Sequence, residues 1–393
     1  LPKRVWREID EKSDDYQANF TIPISTTSKF KHGFVIRSTH RDATERRFEY
    51  VNNAYYTSFD GDIESYVEDM GLDTVTSRVV SGQTRYRYRF SNILKEYIVP
   101  ENNYSGDKGI FATYAMLEIP VFKHLYFVGG VRYEETDMRS MSKGGQLLGK
   151  GISDEDLLPA LNLTYRISDR INVRASFGKT LARPSLKEIS SAKIEAFNDN
   201  EVESGNPNLK ISRIDNYDLR WEWFVNPGEI IAVSAFYKKL RDPIEKVILN
   251  SVHREIQPQN APNATVRGFE LEYRRRLGFV TNTLRNFRLG GNYTYVKSEI
   301  KLSDVELKPA RFVDPDFPDT RPLWGQSPYV LNLDFGFDSF ATGTSLSVYY
   351  NVFGKRLKYN SPQAEPDIYE RPGKQLDFTA SQKLLAGATL KLA

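Results

Sequence analysis

A chain of 393 residues is long enough for two or three soluble domains or for one large β structure. Hydrophobic residues make up 40%, yet 23 Tyr and 23 Phe help lift the aromatic share to 13%, which suits a wall with a thin apolar coat better than a thick core. A net charge of +3 argues against a nucleic-acid partner, and zero cysteines exclude disulfides, thiolate metal sites and cysteine nucleophiles.

No apolar run approaches the roughly 20 residues of a membrane helix; Ile230 to Phe236 is among the longest. The opening LPKRVWREIDEK has no apolar signal core. Neither fact speaks against a β-barrel, whose strands alternate polar with apolar residues and so give a weak hydropathy signal.

In chain order, Tyr16 to Ile24 reads as a first strand and Lys31 to Val51 as a long second one. The region from Asn52 to Ser105 is irregular, with a short helix expected in Gly61 to Gly71. Gly109 to Ile119, whose phase is ambiguous, pairs with His124 to Arg139, and the Gly/Ser/Lys-rich Ser140 to Asp156 is expected to connect. Leu158 to Thr180 is the clearest hairpin. Leu161, Leu163 and Tyr165 share one parity against Asn162 and Arg166; after Ser168-Asp169-Arg170, Val173 and Phe177 oppose Arg174.

Leu181 to Lys210 is a long connector, and strong alternation resumes at Asp215 to Phe224. Tyr217, Leu219, Trp221 and Trp223 lie on one face, with Asp218, Arg220 and Glu222 on the other. Asn226-Pro227-Gly228 turns the chain into Glu229 to Ile248. Asn250 to Asn263 then connects to Val266 to Arg276, where Phe269, Leu271 and Tyr273 oppose Glu270 and Glu272. Phe287 to Ile300, the Pro/Asp-rich Leu302 to Gln326, and Pro328 to Asp338 follow; in the last, Leu331, Leu333 and Phe335 oppose Asn332 and Asp334. Thr344 to Phe353 aligns Leu346, Val348 and Tyr350, and after the connector Gly354 to Gly373, Gln375 to Gln382 and Ala388 to Ala393 close the chain.

About fourteen strands follow from alternation alone. Short connectors after Ile24, Ile119, Ile167, Phe224, Arg276, Asp338 and Leu384 alternate with long ones after Val51, Arg139, Thr180, Ile248, Ile300 and Phe353. One rim therefore carries tight turns and the other large loops, as in an all-β, antiparallel, up-and-down transmembrane β-barrel with short periplasmic turns and long extracellular loops. The apolar residues named above are then lipid-facing and the polar ones lumen-facing. A soluble β-sandwich or propeller also fits the alternation, but it has no reason to sort its loops.

Carboxylate pairs such as Glu134/Glu135 and Glu270/Glu272 read as a hydrated wall, since hydrolysis needs two carboxylates at a set separation across a cleft. The four histidines (His32, His40, His124, His253) lack metal-ligand spacing, and no nucleophile elbow or phosphate loop occurs. The chain reads as a non-enzyme without metal or cofactor. Ligand capture falls to the long loops, where Phe197, Asn198, Phe312, Asp316, Phe317, Trp324, Tyr359 and Tyr369 offer stacking surfaces and hydrogen-bonding groups.

GGVRYEETD (Gly129 to Asp137), LLPALNLTYRISDRINVRASFGKTLARPSL (Leu157 to Leu186), GNPNLKISRIDNYDLRWEWF (Gly205 to Phe224), ATVRGFELEY (Ala264 to Tyr273) and GQSPYVLNLDFGF (Gly325 to Phe337) occur in one order. In that order they resemble the C-terminal barrel part of TonB-dependent receptors, particularly the large receptors of carbohydrate or other nutrient uptake. The similarity covers roughly Asp107 to the end, and Arg183 and Pro184 match the family pattern without an assigned ligand role. The resemblance implies a barrel of about 22 strands around a plug, in the bacterial outer membrane. Residues 1–393 would be a partial barrel, strands eight to twenty-one, with the plug and the last strand absent. The competing reading is a closed barrel of about fourteen strands whose first strand pairs with its last. The implied activity is uptake of a small nutrient, an oligosaccharide or a ferric siderophore with the sugar slightly favoured. Its partners would be outer-membrane lipid and the TonB energy-coupling complex, reached through the absent plug. A passive porin-like channel and a soluble β-sandwich binding protein are the alternatives.

Overall fold

The computed structural model describes residues 3–52, 72–90, 92–143, 145–196, 201–250, 254–302, 304–360, 367–384 and 387–392. Fourteen strands follow one another across a single sheet: β1 (Lys3–Pro23), β2 (Lys29–Asn52), β3 (Tyr104–Phe122), β4 (Leu125–Ser142), β5 (Leu147–Ser168), β6 (Ile171–Ala182) and β7 (Ser212–Asn226) make the first half. The second half is β8 (Glu229–Arg241), β9 (Asn263–Arg276), β10 (Phe287–Lys301), β11 (Tyr329–Ser339), β12 (Thr344–Phe353), β13 (Lys374–Lys383) and β14 (Thr389–Leu392). Sequence neighbours are sheet neighbours and run antiparallel, the up-and-down order expected. Among the described residues β1 and β14 are the two edges and do not pair, so the closed fourteen-strand barrel is not what forms.

Register gives each face its chemistry. Val173, Trp221, Val233, Leu271, Tyr293 and Leu331 stand opposite one another in one continuous cross-strand row, and Phe177, Tyr217 and Tyr237 begin another. Strand alternation keeps all of them on the same face. That face is exposed on many strands, with Leu219 at 54%, Leu271 at 43%, Phe335 at 45% and Tyr165 at 50%. A soluble sandwich would bury it against a second sheet; an exposed apolar band is what hydrocarbon requires. Register also fixes the phase left open in Gly109 to Ile119: Phe111 pairs with Ile36 and Thr113 with Phe34, so the odd-numbered positions share the apolar face.

Four expectations need correction. β4 runs to Ser142 and β5 starts at Leu147, so both continue into the supposed connector Ser140 to Asp156. Positive φ at Gly149 and Gly151 and a register shift between Met138 and Ser140 keep the ladder going through a Gly-rich stretch that looked like a loop. The strand expected over Glu229 to Ile248 breaks at Asp242, with φ 51°, next to Pro243, which has no N–H for the ladder. The first strand begins at Lys3, well before Tyr16. The long connectors also hold structure of their own. Lys193–Ala196, Glu201–Ser204, Glu255–Asn260 and Ile244–Asn250 make a separate four-stranded sheet, and Asp304–Val313 is a helix within the Pro/Asp-rich segment. The helix expected over Gly61 to Gly71 lies outside the described residues.

The first five strands have 21, 24, 19, 18 and 22 residues, about twice the ~9–11 needed to cross a membrane. Their distal halves therefore stand in water. The outer face records the change: Tyr16, Phe20 and Ile22 near the turn give way to Asp14, Lys12 and Asp10 farther along β1.

Candidate functional site

The polar face borders an open cavity of about 1000 Å³ between β4 and β10, at the upper end of the usual ligand-site range. Asn162, Arg174, Asp218, Arg220 and Glu270 line it, with Lys238, Phe236 and Tyr126. Leu163 also borders it, although alternation places this residue with the apolar set. Alternation alone brings the rest together: each is the inward neighbour of a residue on the exposed apolar face.

A ladder of charged side chains that begins in the cavity wall crosses four strands. Arg174 Nε donates to Glu222 Oε2 at 2.9 Å, and Arg220 Nε to Glu222 Oε1 at 2.8 Å. Arg220 continues to Glu272 Oε2 at 2.7 Å and to Ser234 Oγ at 2.9 Å. Glu222 is buried, and both of its oxygens are engaged. Farther round, Asn332 donates to Asn292 and accepts from Asn351, while Arg288 reaches Asp334 at 3.5 Å and Asp338 at 2.8 Å. Arg166, on the lumen-facing parity, sits at a register shift opposite Asn172 just above the turn.

The loops close over this wall with packing of their own. Leu186, Ile189, Leu209 and Ile211 bury against Met138 and Ile152 on β4 and β5. Arg183 donates to Thr136 Oγ1 at 3.0 Å and to Glu134, which ties the start of the connector to the inner face of β4. The GNPNL motif is structural. A Cβ at Gly205 would stand 2.1 Å from the Ser190 carbonyl oxygen, and Asn206 Nδ2 donates to the Pro258 carbonyl at 3.0 Å.

The segment from Arg321 to Gln326 forms a roof. Leu323 and Gln326 line the large cavity, and Leu323 and Trp324 line a smaller one of about 250 Å³ on the loop side. Glu245, 1% exposed, holds the roof by accepting from Arg321 Nη2 at 2.7 Å and from the Trp324 amide at 2.9 Å. Trp324 Nε1 donates to the Lys358 carbonyl at 2.5 Å. Nothing in the sequence singled out Glu245, because its role depends on a connector about 80 residues later.

The loop candidates are dispersed. Tyr359 is buried, its hydroxyl 2.9 Å from Glu201 Oε2, within a cluster with Ile248 and Ile256. Tyr369 is partly exposed, with the Lys355 ammonium 4.1 Å from its ring centroid. Phe312 is 91% exposed at the end of the helix, while Asp316 and Phe317 follow in a turn. Of the group, Trp324 borders a cavity beside the lumen; Phe197 and Asn198 lie outside the described residues. Among the described residues no cluster of His, Asp and Glu is placed to hold a metal ion.

In the loop sheet Glu203 accepts from Lys187 and Lys246, each at 2.6 Å. Those two hydrogen bonds, Lys187 first, hold its carboxyl down to about 2 from an ordinary 4.5. The folded pKa is depressed, so the stabilisation is complete above about 4.5 and disappears as pH falls toward about 2. Amide-exchange protection of 201–204 and 244–250 should fall through that window. Glu203→Gln should remove the pH dependence, and identical profiles for both proteins would assign the protection to other contacts.

An antiparallel wall, apolar and aromatic outside, polar within and roofed by folded loops, is the wall of a transmembrane β-barrel with a polar inner face. The chain belongs to the family described as TonB dependent receptor-like, beta-barrel, which matches residues 4–392. It is thus a protein of the bacterial outer membrane. Similar solved structures include the siderophore receptor PiuA from Acinetobacter baumannii, with a TM-score of 0.62 at 10% identity, over 98% of this chain and 51% of that one. The ferric citrate transporter FecA in its unliganded form gives 0.59 at 13% identity, over 97% and 48%. A mutant ferric enterobactin receptor from Pseudomonas aeruginosa, PfeA, in complex with enterobactin gives 0.54 at 14%, over 98% and 48%. At these identities the likeness is one of fold, and the chain spans about half the length of those structures. No curated protein matches the sequence.

Proposed function

We propose that this barrel serves an active-transport receptor, which binds a small nutrient between its extracellular loops and lumen and imports it with TonB-coupled energy. The observation that carries the reading is the roofed cavity of about 1000 Å³. Its wall offers charge of both signs (Arg174, Arg220, Lys238, Asp218, Glu270) beside hydroxyl and amide groups and the rings of Phe236 and Tyr126. Such a lining can hold a chelate or an oligosaccharide by the same chemistry, hydrogen bonds around an aromatic face. Membership of the family supports TonB as the coupling partner, and the siderophore receptors among the structural neighbours favour a ferric siderophore over the sugar.

Uptake of ⁵⁵Fe-loaded siderophores and of labelled oligosaccharides by expressing cells, with and without TonB, is the test. Saturable uptake of one ligand class that disappears without TonB is the expected result. Unsaturable entry that persists without TonB would instead make the barrel a passive channel.

A further inference from the structure

The outer face divides by charge into two sectors just beyond its aromatic residues. On β1 to β5 the outward positions there include Asp10, Asp14, Asp42, Asp107, Glu135, Asp137 and Glu155, against Lys12, His40 and Arg139. On β6 to β10 they include Lys179, Lys239, Arg241, Arg267 and Lys297, against Asp215 and Glu299. Register brings the basic side chains close. Lys179 and Lys239 flank Asp215 from either side, and Arg267 stands between Tyr237 and Lys297. Glu299 is taken by Lys297 at 2.7 Å and Arg267 at 3.8 Å, so the excess of positive charge rests on Lys179, Lys239 and Arg241.

We propose that this sector is a docking surface for phosphate-bearing headgroups of lipids in the outer leaflet. Three features fix the occupant. Phe177, Tyr217, Tyr237 and Tyr295 lie immediately on the turn side of the cations, and such aromatic rings settle at the headgroup boundary, which puts the cations level with lipid phosphates. The loops that extend from this end of the strands mark it as the extracellular side. The Lys239 ammonium lies 5.8 Å from the Tyr237 ring centroid, at the level where a headgroup oxygen would meet it. A soluble acidic partner would have to reach the patch through the headgroups, and the neighbouring acidic sector would repel it.

Native mass spectrometry of the full chain, extracted with phosphatidylglycerol and phosphatidylcholine in equal amounts, reads the preference directly. Wild type should retain phosphatidylglycerol about tenfold over phosphatidylcholine, a preference that weakens as salt rises. The combined variant Lys179→Gln, Lys239→Gln, Arg241→Gln should lose the preference, whereas Asp10→Asn with Asp14→Asn should keep it. Equal retention of both lipids by wild type overturns the proposal, as does a preference that survives in the basic-patch variant. Displacement of the lipid by ~10 mM inorganic phosphate would also overturn it, since it would make the site one for free phosphate. Because wild type carries its own salt dependence, a folding failure of the variant leaves the proposal testable.

Discussion

Leu271→Arg should cost about 2–4 kcal/mol of folding stability in a bilayer, while Glu270→Gln, one residue away, should change stability by less than about 0.5 kcal/mol. Leu271 lies mid-row between Val233 and Tyr293, 43% exposed on the apolar face. Arginine there must carry its guanidinium into hydrocarbon. Glu270 faces the cavity, where water and neighbouring polar groups solvate either side chain. Urea titration of folding into lipid vesicles measures both. Equal costs would mean that the two faces do not meet different solvents, and would remove the basis for both the lumen and the lipid sector. The contrast is sharp because only a single residue of sequence separates the two environments.

The same alternation explains what was legible in the sequence. Wherever a strand had lipid on one side and water on the other, period two was written into its residues, as in Tyr217 to Trp223 or Phe269 to Tyr273. Strand order followed, because short connectors leave a neighbour no other place to pair. Legibility failed where both faces meet water or protein. The upper hairpin of β4 and β5 and the small loop sheet are held by backbone ladders and by clusters such as Met138, Ile152 and Leu209, and neither leaves a periodic trace. Candidate loop residues chosen for their chemistry proved scattered for the same reason. Tyr359 was legible as an aromatic ring in a loop, but the Glu201 that accepts its hydrogen bond lies 158 residues away in sequence. The lumen side chains were the easier set, since each is fixed by the strand that carries it.

Glu245→Ala carries the other large expected effect, about 3–5 kcal/mol of local stability in the loop layer. The side chains of Glu245 and Arg321 are 1% and 9% exposed, so the substitution takes away the carboxylate 2.7 Å from a guanidinium that water scarcely reaches. The Trp324 amide loses its acceptor in the same step. The roof then keeps the backbone pairing of Arg321 with Ile300, the Leu323 amide on Ser298 Oγ at 3.1 Å, the Gly325 amide on the Leu357 carbonyl at 2.8 Å and the Trp324 indole on Lys358. Hydrogen exchange in a peptide covering 321–326 should accelerate by more than a hundredfold, with the wall strands unchanged. Glu245→Gln should show a smaller effect, because an amide oxygen can still accept from the Trp324 N–H. Since Leu323 borders both cavities, a loosened roof should also join them and let solute pass from the loop side into the lumen. Unaltered exchange at 321–326 in Glu245→Ala would show that the remaining contacts hold the roof without the buried ion pair.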